Sequence, residues 1–182
     1  ALPQGHFPGV QLLQRLPAIA IAQLDQLRFQ VFLNHMVIGI MSQVFPLDGI
    51  LKAAIFAAQK HQGQVRKNDL GSPYITHPMQ VARVLWDIGG VRDLQTLIAA
   101  LLHDTIEDTR TTHAEVREAF GEQVLEIVLE VTDNKALEKM TRKRLQVEHA
   151  PELSKPARLI KLGDKLVNCR DILENPPSDW TL

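Results

Sequence analysis

The residues best suited to chemistry form a short polar run, His-Asp-Thr-Ile-Glu-Asp at 103–108, directly behind six apolar residues. Residues four apart lie on one face of an α-helix, so His103 is expected to lie over Glu107. By the same spacing, Asp104 is expected to lie over Asp108. Carboxylates gathered at the end of a buried helix repel one another and lose hydration unless a positive charge lies among them. The run therefore predicts a divalent-metal site.

Two further residues complete a candidate set of metal ligands drawn from separate elements. His77 stands at a predicted helix start behind a tight turn at Pro73, and Asp164 lies within an apolar helical stripe. With His103 and Asp104 they supply two imidazoles and two carboxylates. A mixed set of nitrogen and oxygen donors suits manganese, iron or another hard-to-borderline divalent ion.

Glu107 and Asp108 are predicted to act on water rather than on the ion. A bound divalent ion lowers the pKa of water from about 16 to about 7. The two carboxylates lie one helical turn beyond the predicted ligands, where they can orient that water and take or return protons. Each residue taken singly also has a structural interpretation, such as a helix cap or an ion-paired acid. The set as a whole favours a catalytic site.

A basic loop and a helical amide are the candidate substrate-binding residues. Arg66 and Lys67 lie in a loop expected beside the metal site, where an arginine can stack on a base or bind a phosphate. Asn168 shares a helical face with Asp164 and can bind a base edge or a ribose. A basic cluster within 139–144 is equally consistent with a solvated face. Tyr74 and Trp180 are interpreted as packing residues, and His61 as a packing or capping residue.

Caps and helix breakers place this chemistry in an all-α domain, an orthogonal helical bundle with little strand alternation and no internal repeat. Asp93 is predicted to cap the helix that carries the polar run, and Thr112 and Glu115 form a capping box. The other predicted helices span 48–60, from Thr76 to before Gly89, 122–131, 138–149 and 154–173.

Length and composition indicate one ordinary globular domain, alone or with an appendage. The chain has 182 residues, 45% of them apolar and 23% charged, and its formal net charge of −1 gives no global sign of nucleic-acid binding. A single cysteine, Cys169, excludes an internal disulfide and suits a reducing compartment. The apolar stretch at 36–47 is too short for a bilayer, and residues 1–22 lack a secretory signal. A cytoplasmic location without membrane attachment is expected.

The first 46 residues differ from the remainder of the chain. They are rich in leucine, glutamine and proline and carry no clear site chemistry. We predict an N-terminal extension of unknown role at 1–46, whether a natural extension, an alternative start or artificial sequence. The functional domain is predicted at 47–182.

Beyond residue 50, specific motifs follow one another in a fixed order. They are Arg66-Lys67, Pro73-Tyr74-Ile75-Thr76-His77-Pro78, His103-Asp104, Glu107-Asp108-Thr109, Phe120-Gly121, Val131-Thr132-Asp133, Lys161-Leu162-Gly163-Asp164-Lys165 and Asn168. This order resembles the HD-domain hydrolase of the RelA/SpoT family, most closely its stand-alone animal members, over roughly Leu51 to Trp180. The resemblance implies manganese ligands at His77, His103, Asp104 and Asp164, catalytic acids at Glu107 and Asp108, nucleotide contacts at Arg66, Lys67 and Asn168, and a phosphate contact at Lys139.

The implied activity is removal of the 3′-diphosphate from guanosine tetra- or pentaphosphate, which gives GDP or GTP and pyrophosphate. Animal members are also associated with removal of the 2′-phosphate of NADPH, so a nucleotide phosphatase is the alternative enzyme. An alternative of another class is a non-catalytic regulatory module that binds nucleotides, against which the intact Glu107-Asp108 pair argues. The expected partner is a small nucleotide, with no nucleic acid and no membrane.

Three features depart from the pattern of the family. Residues 1–46 have no counterpart in its short members. Gly163 stands where its members usually have alanine. Relatives also continue into further C-terminal helices beyond the position of Leu182. A domain shortened at its C-terminal end is therefore expected.

Overall fold

The structure, a computed structural model, describes residues 18–66 and 71–176, and within the first range the side chains of residues 26–34 and 47–66. The helices are α1 (Ala18–Lys60), α2 (Thr76–Asp87), α3 (Leu94–Leu102), α4 (Thr105–Asp108), α5 (His113–Phe120), α6 (Glu122–Val131), α7 (Lys139–His149), a 3-10 helix (Ala150–Glu152) and α8 (Lys155–Glu174). The described ranges contain no β-strand, only an isolated bridge between Val65 and Pro73. The all-α prediction is confirmed. Among the described helices, none combines the length and apolarity needed to cross a bilayer.

The chain divides into two compact units, residues 1–45 and 46–182. Helix α1 continues through Asp48, so the predicted start of a separate helix at residue 48 is wrong. Because the backbone before Asp48 is already helical, the N–H groups of the following turn can bond within α1, and the Asp48 carboxylate has no helix start to cap. The assignment of 1–46 as an extension of separate role stays a prediction.

A continuous apolar core holds the second unit together. Helix α2 contacts α3 and α8, and α3 also contacts α6 and α8. Each of these helices contributes a fully buried side chain: Val81, Leu102, Leu125 and Ile160. Burial of one such side chain stabilises a fold by roughly 1.5–3 kcal/mol. The core therefore fixes the relative positions of α2, α3 and α8, which carry the candidate ligands.

Helix α8 approaches α2 closely at Gly163. A Cβ atom at this position would lie 3.2 Å from Cδ2 of Leu85 and 3.3 Å from Cγ1 of Val81, tighter than ordinary side-chain contact. The missing side chain thus removes bulk where the two helices cross. The next residue on α8 is Asp164, and this crossing brings its carboxylate to the first turn of α2.

Three predicted N-caps are present and fix where helices begin. The Asp93 carboxylate accepts the Thr96 backbone N–H at 2.8 Å at the start of α3. The Thr112 hydroxyl accepts the backbone N–H of Glu115, whose carboxylate accepts the Thr112 backbone N–H in return. The Ser154 hydroxyl caps α8. Each cap satisfies backbone donors that the helix itself leaves unpaired.

The predicted single helix through the polar run is wrong, because the run is split. Helix α3 ends at Leu102, His103 and Asp104 form a turn, and α4 is a single helical turn. The Thr105 hydroxyl donates to the Leu102 carbonyl at 2.6 Å and so competes with the helical hydrogen-bond ladder. The Asp108 backbone N–H still bonds the Asp104 carbonyl at 2.8 Å, so the four-residue spacing is kept there.

Candidate active site

Three helices bring potential metal ligands together in the second unit. One ligand atom from each of His77, His103 and Asp164 lies within 4.8 Å of the other two. His77 is in the first turn of α2, His103 follows the last turn of α3, and Asp164 lies within α8. Both imidazoles are buried, with 1% and 5% of their surface exposed. Nitrogen and oxygen donors in such an arrangement can hold a divalent cation.

Asp104 joins this group from the turn between α3 and α4. Its Oδ2 lies 3.0 Å from Nε2 of His103 and 3.8 Å from Nε2 of His77. The same nitrogen of His77 lies 3.1 Å from Oδ1 of Asp164. The four residues predicted as ligands therefore form one contiguous cluster.

The hydrogen bonding of His103 leaves one ring nitrogen available as a ligand. Nδ1 lies 2.8 Å from the Ala100 carbonyl oxygen, which can only accept, so Nδ1 carries a proton. Nε2 is buried and makes no hydrogen bond in the described part of the chain, although Oδ2 of Asp104 is near. A buried polar atom without a partner costs about 1–3 kcal/mol. A cation at Nε2 would remove that cost, so the cluster fits a metal ion.

The electrostatics of the cluster also favour a positive charge. Burial opposes charge on His103, but the Asp104 carboxylate outweighs it and raises the pKa of His103 to about 9. Burial likewise opposes ionisation of Asp164, but hydrogen bonds from His77 and Lys165 lower its pKa to about 2. The carboxylates are thus ionised at neutral pH. A cation would compete with protons for the imidazole nitrogens.

The two predicted catalytic acids, Glu107 and Asp108, lie in different surroundings. Oε2 of Glu107 accepts the Asp133 backbone N–H at 2.9 Å, and Oε1 lies 3.8 Å from Nη1 of Arg142. Burial raises the pKa of Glu107. The hydrogen bond from the Asp133 backbone lowers it, but neighbouring carboxylates raise it further, and the net shift is upward. Glu107 lines the cavity at the cluster, whereas Asp108 pairs with Lys135 and does not line it.

A polar cavity of about 200 Å³ opens at the cluster. Its lining comes from the loop before α2, from α2, from the turn after α3, from α4, from the end of α6 and the segment after it, and from α7 and α8. The residues are Arg66, Tyr74, His77, His103, Asp104, Glu107, Val131, Asp133, Gln146, Ile160, Lys161, Asp164, Lys165 and Asn168. The cavity thus places candidate metal ligands, one candidate base and three cationic side chains around one space.

Arg66 and Asn168, predicted as substrate contacts, meet at one side of this cavity. Nη2 of Arg66 donates to Oδ1 of Asn168 at 3.1 Å and to Oδ2 of Asp171 at 2.9 Å. Nδ2 of Asn168 donates in turn to Oδ1 of Asp164 at 2.6 Å. A continuous chain of hydrogen bonds therefore connects the basic loop to a candidate metal ligand.

Of the two predicted lysines, only Lys139 lies among the described residues. Lys67 lies outside the described residues. Lys139 begins α7 as an exposed residue and does not line the cavity. The cationic side chains of α8 that do line it, Lys161 and Lys165, were not predicted as site residues. Their positions on the helical face of Asp164 were the available signal.

Tyr74 has a role that the sequence analysis missed. Its ring lies 4.7 Å from the ring of the buried His61, so the packing interpretation accounts for the ring and for His61. The Tyr74 hydroxyl, however, donates to Oδ2 of Asp104 at 2.5 Å. The position of Tyr74 three residues before His77 was the only sequence signal for this contact. Trp180 lies outside the described residues.

Comparisons with known proteins agree with this geometry. A family model described as an HD domain matches residues 53–181. The guanosine-3′,5′-bis(diphosphate) 3′-pyrophosphohydrolase MESH1 of Xenopus tropicalis is 55% identical over 132 residues, which cover 72% of this chain and 74% of that protein. The protein of the same name from Homo sapiens is 54% identical over the same shares.

Structural and bacterial relatives point the same way. A solved structure of a metazoan orthologue of SpoT, which hydrolyses ppGpp and plays a role in starvation responses, matches with a TM-score of 0.70 at 44% identity, over 73% of this chain and 75% of that one. A guanosine-3′,5′-bis(diphosphate) 3′-pyrophosphohydrolase of Aquifex aeolicus is 43% identical over 69% of this chain and 18% of its own length. The chain therefore belongs to the HD-domain family, among the relatives of SpoT and MESH1.

Proposed function

We propose that this protein hydrolyses guanosine tetraphosphate (ppGpp), releasing GDP and pyrophosphate, and acts in the same way on the pentaphosphate to release GTP. The observation that carries the proposal is the convergence of the buried His77 and His103 imidazoles with the Asp104 and Asp164 carboxylates, where Nε2 of His103 makes no regular hydrogen bond within the described residues. It indicates a cation site beside a polar cavity. Relatives more than 50% identical carry the name of this activity.

Manganese is the proposed ion, with His77, His103, Asp104 and Asp164 as its ligands. Two imidazoles and two carboxylates match the preference of hard-to-borderline divalent ions. When bound, such an ion supplies charge that offsets phosphate oxygens and acidifies water. The Nδ1 hydrogen bond of His103 to Ala100 keeps Nε2 directed at the cluster.

Glu107 is the proposed base of the reaction. Hydrolysis adds water across the bond between the ribose 3′-oxygen and the adjoining phosphorus: the water oxygen joins the pyrophosphate, and the 3′-oxygen leaves as a hydroxyl. One proton must therefore be taken from water and one delivered to the 3′-oxygen. Oε2 of Glu107 is engaged by the Asp133 backbone, which leaves Oε1 to hold the proton. Its raised pKa lies nearer to neutral pH, where a general base is most efficient.

Asp108 is the proposed second acid. Its Oδ2 lies 3.5 Å from the Tyr74 hydroxyl, and its Oδ1 pairs with Lys135. The proton that Glu107 takes from water must reach the leaving 3′-oxygen, and we assign the Asp108 carboxylate to receive that proton and pass it on. The assignment places the two acids on the single turn of α4, one inside the cavity and one beside it.

The nucleotide itself is proposed to extend from the metal cluster toward Arg66 and Asn168. Arg66 has a planar guanidinium that can stack on a base or fork a phosphate. Lys161 and Lys165 line the cavity and offer positive charge to the diphosphate groups. Lys67 stays a proposed nucleotide contact, and Lys139 a proposed phosphate contact.

The test offers ppGpp and NADPH separately to the purified chain with and without Mn²⁺ and measures released pyrophosphate and phosphate. We expect pyrophosphate and GDP from ppGpp, and no turnover after chelation and dialysis. The matched control restores Mn²⁺ to the chelated sample and should recover the rate. Phosphate from NADPH with no pyrophosphate from ppGpp would assign the site to the alternative phosphatase. Tight Mn²⁺ and nucleotide binding without turnover of either compound would favour the regulatory module.

A further inference from the structure

We propose that Tyr74 is a positioning residue that links the two ends of the active site. Its hydroxyl orients the metal ligand Asp104, and its ring supports the Arg66 guanidinium at the nucleotide-binding end. The proposal rests on the proposed function for what Arg66 and Asp104 bind. It assigns a role to a residue that neither ligates the ion nor takes a proton from the substrate.

The hydroxyl of Tyr74 lies near two carboxylates of the site, those of Asp104 and Asp108. It donates to Oδ2 of Asp104 at 2.5 Å, within the short range typical of a hydroxyl bound to an ionised carboxylate. The same Oδ2 lies next to Nε2 of His103 and Nε2 of His77. A hydrogen bond to a ligating oxygen fixes the orientation of that ligand. The Tyr74 hydroxyl therefore holds Asp104 in place for the cation.

The backbone of Tyr74 connects the basic loop to the start of α2. Its N–H donates to the Gln64 carbonyl at 2.9 Å, and its carbonyl accepts the N–H of His77 at 2.9 Å. The Arg66 N–H donates to the Ser72 carbonyl at 2.8 Å and closes the loop. Because of these bonds, a shift of Tyr74 would move a ligand histidine and the nucleotide-binding arginine together.

The ring of Tyr74 contacts groups from both sides of the loop. The guanidinium carbon of Arg66 lies 5.8 Å from its centroid, within the range of a cation–π contact. The ring of His61 lies 4.7 Å away, and Nδ1 of His61 is 2.8 Å from the side-chain oxygen of Gln64. Gln64 in turn donates to the Asp108 carbonyl at 2.8 Å. The ring is therefore supported by the loop, and it supports Arg66.

Two substitutions distinguish the contribution of the hydroxyl from that of the ring. Tyr74→Phe keeps the ring contacts with His61 and Arg66 and removes only the bond to Asp104. Tyr74→Leu removes both. A purely structural role for Tyr74 would make the phenylalanine variant equivalent to the parent, since phenylalanine fills the same space.

The experiment measures Mn²⁺ affinity by calorimetric titration of metal-free protein, with no nucleotide present. We expect Tyr74→Phe to bind Mn²⁺ about 10- to 100-fold more weakly, the usual effect of losing a residue hydrogen-bonded to a ligand. Thermal unfolding of the metal-free variant, which should match that of the metal-free parent, controls for folding. If Tyr74→Phe binds Mn²⁺ as tightly as the parent, the hydroxyl does not orient Asp104 and this part of the proposal is wrong.

The second readout is the dissociation constant for ppGpp at saturating Mn²⁺, measured in a Glu107→Gln background that slows turnover by about 10²–10⁴. Tyr74→Phe should bind ppGpp within about 2-fold of the background, whereas Tyr74→Leu should bind about 2- to 30-fold more weakly because Arg66 loses its aromatic support. Equal affinity in all three would overturn the role of the ring. If the background protein binds no ppGpp, the proposed function fails together with the role of the ring, and the Mn²⁺ titration still decides the role of the hydroxyl.

Discussion

One hydrogen bond decides which atom of His103 can act as a ligand. The Ala100 carbonyl accepts a hydrogen bond from the protonated Nδ1, so Nε2 is the nitrogen near the carboxylates of Asp104 and Asp164. A histidine ligand needs this second contact, because it sets the tautomer and the direction of the ring. A His-Asp dipeptide alone is weak evidence for a metal site. The Ala100 carbonyl, one turn earlier on α3, strengthens it by orienting His103 as a ligand.

Loss of either a ligand imidazole or a ligand carboxylate should empty the metal site. We expect His103→Ala and Asp164→Ala to lose more Mn²⁺ affinity than the roughly 10- to 100-fold that loss of a residue bonded to a ligand costs. The measurement is metal content after dialysis against a fixed Mn²⁺ concentration. Arg66→Ala is the matched control and should retain the ion. Full occupancy in both ligand variants would contradict the assignment.

Glu107→Gln tests the division between metal ligands and the base. The amide keeps the shape of the side chain and can still accept the Asp133 N–H, but it cannot take a proton. Turnover of ppGpp should fall by about 10²–10⁴, while bound Mn²⁺ stays constant. A parallel loss of metal and activity would instead make Glu107 a ligand.

Arg66 should control nucleotide affinity without affecting the ion. Removal of one charge-assisted hydrogen bond costs roughly 1.5–3 kcal/mol, so Arg66→Ala should weaken ppGpp binding about 10- to 150-fold. Arg66→Lys keeps the charge but loses the planar fork, and it should recover only part of the affinity. The test is a ppGpp titration at saturating Mn²⁺. Wild-type affinity in the alanine variant would show that the nucleotide lies elsewhere.

The sequence predicted the members of the site better than the contacts among them. His77, His103, Asp104 and Asp164 could be predicted as a set because each residue type suits a cation. The Tyr74 hydroxyl could not, since its partner lies 30 residues away and only the folded chain brings the two together. Lys161 and Lys165 were missed for a related reason, because lysines on a helix are common and only the folded structure shows that these two line the cavity.

Helix ends were predictable wherever a local signal determines them. The Asp93 cap, the capping box at Thr112 and Gly121 after α5 all occur where the sequence placed them. The break after Leu102 was not predicted. The Thr105 hydroxyl donates a hydrogen bond to the Leu102 carbonyl there, and this contact has no strong sequence signature. That break separates His103 and Asp104 from α3 and α4.

The Asp93 cap should stabilise the helix that carries His103. Its carboxylate accepts both the backbone N–H and the hydroxyl of Thr96. Asp93→Ala should lower the free energy of unfolding by about 0.5–2 kcal/mol, measured by urea denaturation. Asp93→Asn, which keeps a capping oxygen, should lose less than half of that amount. Equal losses in the two variants would show that charge, and not the cap, is the source of the stabilisation.

The metal cluster depends on the packing of the whole second unit. Its ligands come from α2, α3 and α8, which are far apart in sequence and meet through a shared core. Val81, Leu102 and Ile160 fill that core beneath the ligands. The distances among the donor atoms are therefore set by apolar packing, although the donors themselves are polar.

We propose that residues 47–182 form the functional domain, and deletion of 1–46 tests this. The site residues all follow residue 47, and the α1 residues buried in the core of the second unit, Ala53 and Ala57, are retained. We expect Mn²⁺ affinity and ppGpp turnover within about 2-fold of the full chain, a difference of about 0.4 kcal/mol or less.

A second deletion, which removes residues 1–61 so that the chain begins at residue 62, provides the matched control for this experiment. It removes Ala53, Ala57 and the buried His61, which packs against Tyr74. Because α1 then no longer contributes to the core, we expect a clear fall in the thermal unfolding midpoint and loss of Mn²⁺ binding. If the chain starting at 47 loses these properties to the same degree, the first 46 residues belong to the functional domain. If both deletions retain them, α1 is dispensable and the domain begins after it.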